Sequence, residues 1–213
     1  KLTEADLALT HMTGKWSQAR RELKSKIESL KKENFTFDLT FMTRALNAVV
    51  TQRAIFEILH KVPKEELIIG WNKLSKILDY LIIILPERAF INHNWDLNTN
   101  NILIPWIAYL AKNEGKFTNE KGFSDALHWL YAAHTWARYS SQTSQKLESD
   151  LSMTAREERP WDSLRNEIID QRGRLEVKAS DFEGRGVLHP LYRMSLIVSK
   201  SLGAVDWSNG API

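Results

Sequence analysis

Two segments of this chain hold the residue types best suited to binding an anion. The first is Ala137-Arg138-Tyr139-Ser140-Ser141-Gln142-Thr143-Ser144, which ends one helical pattern and starts another. Its hydroxyls, the planar fork of Arg138 and the amides opening the next helix suit a phosphate or carboxylate. Lys146 adds a cation one turn further on. The second segment is Gly184-Arg185-Gly186-Val187-Leu188-His189-Pro190. It has the same layout: flexible residues, then a cation, then a helix start at Pro190, with Arg185 and His189 as donors. Each has a plainer explanation. Ser and Thr satisfy free amides, Arg138 satisfies the carbonyls before it, and His189 caps a local turn.

A third candidate is the stretch from Lys15 to Glu33, with seven cations against three anions. Such a helix can follow a nucleic-acid backbone. Its interleaved acids equally describe a solvated amphipathic face. Of the eight tryptophans, Trp71, Trp129 and Trp136 fall in helical apolar patterns and are expected in the core. Trp95 lies in a polar stretch and is the one expected to tell by its exposure whether a stacking platform exists.

Catalytic signatures are missing. There is no G-x-x-x-x-G-K-[ST], no G-x-G-x-x-G and no H-E-x-x-H. His128 and His134 stand six residues apart, about 240° around a helix, so they do not chelate as a pair. Gly122-Phe123-Ser124-Asp125 lacks the second glycine of a nucleophile elbow. No catalytic, cofactor-binding or metal-ligating residue is assigned, and no cofactor is expected.

The elements that must position these groups read as helices almost throughout. Thr3-Glu4-Ala5-Asp6 resembles a capping box with Asp6 in the place of the usual Glu. Trp16, Ala19, Leu23, Ile27 and Leu30 recur at helical steps. Asp38 can cap a helix through Val50, and Pro63 suits the first turn of one that Pro86 should end. Residues 86–101 read as a long polar surface loop. Helical patterns resume over 102–111, 123–139, 144–156, from Pro160, and from Pro190 to a left-handed cap at Gly203. Only Arg174-Leu175-Glu176-Val177 has strand character, too short to anchor a sheet.

The expected fold is therefore all-α: an irregular bundle of about eight to ten helices with little or no sheet. Residues 1–213 read as a single helical domain, with sub-bundles 1–85 and 102–213 as the division that the loop would allow. Composition agrees, since 213 residues with only 9 glycines and 6 prolines leave little room for many hairpins. The absence of cysteine excludes disulfides and thiol chemistry and points to the cytoplasm. The longest apolar run, Tyr80 to Leu85, is far short of the roughly twenty residues of a membrane span. A net charge of +3 permits anionic partners without demanding them.

Several segments carry a resemblance. They are Lys1-Leu2-Thr3-Glu4-Ala5-Asp6-Leu7-Ala8-Leu9 with Gly14-Lys15-Trp16, Asn101-Ile102-Leu103-Ile104-Pro105, Ala137-Arg138-Tyr139-Ser140-Ser141, and Lys146 to Leu151. The closing run joins Gly184-Arg185, His189-Pro190-Leu191-Tyr192, Lys200, Gly203-Ala204-Val205-Asp206-Trp207 and Gly210. Their order resembles the helical C-terminal portion of the N-terminal family of GmrSD-type restriction proteins, a group of ParB/sulfiredoxin-like bacterial domains. The resemblance implies an upstream α/β domain with an Asp-Gly-Gln-Gln-Arg signature, which this sequence lacks. It also implies a role in DNA-directed defence.

The expectation from the sequence is a non-catalytic helical fragment. It would support a missing nucleotide-binding or nuclease domain and contact DNA through Arg138, Tyr139, Ser140, Lys146, Arg185 and His189. The alternative is a docking or dimerisation module with no ligand of its own.

Overall fold

A computed structural model describes residues 3–211. Lys1 and Leu2, which open the first segment of the resemblance, lie outside them. The described residues form nine α-helices: α1 Glu4–Lys15, α2 Ala19–Lys31, α3 Leu39–Thr51, α4 Lys64–Ala89, α5 Ile104–Lys112, α6 Glu120–Thr135, α7 Thr143–Arg156, α8 Trp161–Arg172 and α9 Pro190–Ser201. Four 3-10 turns punctuate them, and no strand occurs among the described residues. The fold is all-α, as the periodicity requires.

Local chemistry explains the starts. Thr3 and Asp6 form the reciprocal capping box of α1, and the Asp38 carboxylate accepts from the Phe41 N–H at the head of α3. Pro105 and Pro190 occupy the first turns of α5 and α9, where no partner for a proline N–H is needed. Gly203 takes a left-handed conformation after α9, closing it with a bond from the Ala204 N–H to the Ser199 carbonyl at 3.0 Å.

The middle of the bundle is α5. Ile104 through Ala111 are all buried, the pattern of a helix covered on every side. It packs against α3, α4 and α7. One continuous apolar core runs from Ala8 to Ile197. Gly70 lets α4 approach α3 closely, since a methyl there would collide with Val50 Cγ2.

The structure corrects four readings. The basic stretch is not one helix: α1 stops at Lys15 and α2 begins at Ala19. Trp16 between them leaves helical geometry to bury its indole beside Trp71, ring centroids 6.2 Å apart. Pro86 does not end α4. The helix runs one more turn to Ala89, because Ala89 and Ile91 are buried and Phe90 supplies a left-handed cap. Pro86 forfeits its own backbone bond and crowds the Ile82 carbonyl one turn back, and core burial outweighs both. Residues 86–101 are accordingly not an open surface loop. Ile91 and Leu97 are buried, and the polar residues satisfy the backbone of a packed connection. Asp96, itself buried, accepts from the Asn92 N–H at 2.7 Å and pairs with Lys200 at 3.1 Å. Finally, 174–177 form no strand; the segment is pinned by the Trp136 indole N–H on the Leu175 carbonyl (3.2 Å) and by Arg174 on Asp181 (2.6 Å).

Candidate functional site

The first anion-suited segment begins where α6 ends, at Thr135, earlier than the periodicity through Tyr139 suggests. Ala137 is left-handed, and the Arg138 N–H returns to the Ala133 carbonyl at 2.9 Å, so the chain turns sharply. Arg138 is thereby directed inward. Its Nε and Nη2 donate to the two oxygens of Asp150 at 2.7 and 2.5 Å. The Tyr139 hydroxyl donates to the same carboxylate. Burial opposes the Arg138 charge, but Asp150 overrides it and the pKa is raised. Burial, then the Asp150 charge, pushes the Tyr139 phenol well up, so it stays a donor. Lys146 donates to the Arg138 carbonyl at 2.9 Å, with its pKa lowered by burial and then by Arg138 and Arg172.

The second segment folds over the first. Arg185 follows the left-handed Gly184, and its N–H returns to the Phe182 carbonyl at 3.1 Å. His189 caps α9, its Nδ1 accepting from the Leu191 N–H at 3.3 Å. Burial, then the Arg185 charge, lowers its pKa.

Together the segments border a cleft of about 590 Å³. Tyr139 and Ser140 come from the first, Arg185 and His189 from the second. Arg172 from the last turn of α8, Arg193 from α9, and Asn98 and Thr99 complete its polar lining. No carboxylate lines it. Arg172 donates to the Trp136 carbonyl at 3.1 Å and Arg193 to the Leu97 carbonyl. A guanidinium has five N–H donors, so these bonds aim the group and leave most of it for a ligand. Neither, nor Arg185, has an ion-pair partner among the described residues. Many other cations do, among them Lys26 with Asp79, Arg53 with Glu148 and Arg88 with Glu120.

Four of the six expected contacts therefore share one cleft: Tyr139, Ser140, Arg185 and His189. Arg138 and Lys146 do not line it. Arg138 lies beneath, spent on Asp150, and Lys146 braces its backbone. Tyr139 contributes surface but not its hydroxyl. The sequence reading missed Arg172 and Arg193. Arg193 stands four residues after His189, a same-face spacing that carries a usable signal. Arg172 has none, since only the packing of α8 on α6 brings it there.

Beneath the cleft is His134, also buried. Its Nδ1 lies 3.3 Å from the Asn98 backbone nitrogen and 3.1 Å from the Asn98 Oδ1. Burial, then the charge of Arg193, pushes its pKa down to about 4. Among the described residues no group of three or more His, Asp or Glu is placed to hold a metal. Nor is any helix there long and apolar enough to cross a membrane. No family model, curated protein or solved structure matches the chain.

Proposed function

We propose that this chain is a non-catalytic helical module of a GmrSD-like, DNA-directed restriction or defence protein. It works in the cytoplasm beside an α/β domain that carries the nucleotide and nuclease chemistry, and it contributes phosphate contacts through the cleft. One observation supports this above the rest: Arg172, Arg185, Arg193 and His189 line a single concavity without a carboxylate. Like charges gathered in a cleft focus a positive potential, and Arg forks match phosphate oxygens in pairs. Two of the three guanidiniums are already oriented by backbone carbonyls. Less freedom is then lost when an anion arrives.

DNA binding by the chain over a salt series tests the reading. Affinity that falls steeply with salt supports phosphate contacts. Absence of binding at low salt removes it.

A second reading, docking of a partner domain or a second copy, is favoured by exposed apolar residues near the end of the chain. Val187, Leu188, Leu196, Leu202 and Trp207 all face solvent. Self-association or partner capture without DNA affinity would select it.

A further inference from the structure

We infer that the nucleic acid this cleft takes is single-stranded, with phosphates on Arg172, Arg185 and Arg193 and a base stacked on Trp95. The inference rests on the phosphate-binding reading of the cleft and adds an independent observation. Trp95 is 74% exposed, whereas Trp16, Trp71, Trp106, Trp129 and Trp161 are all buried. An indole left in water on a loose tail says little. This one is presented on a pinned turn.

Asn94–Asp96 form a 3-10 turn between two buried anchors, Ile91 and Leu97. Asn94 accepts from the Thr36 N–H and donates to Asn100 at 2.7 Å. Asp96 holds the Asn92 N–H on one oxygen and Lys200 of α9 on the other. The residues on both sides of Trp95 are thus tied down while its ring stays uncovered. The chain then leads straight into the cleft. The Leu97 carbonyl accepts from the Arg193 guanidinium, and Asn98 and Thr99 are part of the lining.

Three residues of chain, from Trp95 to Asn98, span at most about 10 Å. Stacked bases repeat about every 3.4 Å along a strand. One short segment of nucleic acid can therefore meet the arginines and the indole together. Aromatic side chains beside a cationic track are the arrangement that binds single strands without reading sequence. A duplex keeps its bases stacked on one another and offers Trp95 no face.

The test measures binding of an oligothymidylate and of a duplex of the same length to the full chain, by anisotropy and tryptophan quenching. Three proteins are compared: wild type, Trp95→Ala and the pair Arg172→Ala/Arg185→Ala. The single strand should bind more tightly than the duplex and quench tryptophan emission. Trp95→Ala should weaken the single strand about ten-fold, leave duplex binding unchanged, and melt close to wild type because most of the side chain already faces solvent. The arginine pair should weaken both ligands. Preference for the duplex, or a Trp95→Ala protein with wild-type affinity while the arginine pair is impaired, overturns the single-strand assignment and spares the cleft. Failure of wild type to bind either ligand removes both.

Discussion

Arg138 grips Asp150 through two parallel hydrogen bonds, with side chains only 1% and 0% exposed. This pair ties the turn after α6 to the body of α7, and the polypeptide that reaches the cleft through Tyr139 and Ser140 hangs from it. Its role is structural, because neither charge faces solvent. Breaking such a pair strands a buried charge and costs about 3–5 kcal/mol, whereas replacing both partners with apolar groups is often neutral. Arg138→Met and Asp150→Leu should each destabilise the fold by about that much in chemical denaturation. The double variant should recover part of the loss, and adding Tyr139→Phe, which removes the buried phenol left without its Asp150 acceptor, should recover more. Single variants that unfold like wild type would show that the pair contributes little.

His134 sets a pH dependence with a definite sign. Its folded pKa of about 4 lies below the ordinary value of 6.5, so the unfolded chain takes up the proton first on acidification. The contribution is fully present above pH 6.5 and is lost as pH falls from about 6.5 toward 4. It amounts to about 3 kcal/mol. His134→Gln should flatten the stability profile over that window in a series of urea titrations. An identical slope in wild type and variant would assign the dependence to other groups.

Gly70 reports on the α3–α4 contact. Alanine normally favours a helix over glycine by about 1 kcal/mol. Here the added methyl meets Val50, whose branched side chain has few alternative rotamers. Gly70→Ala should therefore lower stability by about 1–3 kcal/mol. The companion variant Gly70→Ala/Val50→Ala should remove the clash, at the cost of a smaller side chain in the contact. A stabilised Gly70→Ala protein would mean that the helices separate easily.

How much of this was legible in the sequence divides along the range of the interactions. Thr3, Asp38, Pro105 and Pro190 mark helix starts because capping is settled within four residues. Pro86 misleads because the burial of Ala89 and Ile91, which carries α4 past it, depends on distant packing partners. Asn94, Asn98, Asn100 and Asn101 read as solvent-facing, yet their side chains hydrogen-bond a packed connection, while Asn92 does face solvent. At the site, both turn segments were visible as anion-suited, and packing brings them to one cleft. Arg138 looked like a ligand because its partner Asp150 is twelve residues away, on the next helix, where no local spacing points to it. Arg172 joins the cleft only through tertiary packing. Trp95, the tryptophan marked by its polar neighbours as the one to check for exposure, is exposed, and so is Trp207, whose exposure no local pattern pointed to.

Phosphate binding in the cleft is tested most directly by the salt dependence of DNA affinity. Each phosphate neutralised on a duplex contributes about −0.9 to the slope of log affinity against log salt. Arg172→Ala/Arg185→Ala should bind less tightly than wild type at low salt, with a slope shallower by about 1.8 on a duplex and, at about 0.7 per phosphate, by about 1.4 on a single strand. Equal slopes and equal affinities for the two proteins would contradict a phosphate-binding cleft.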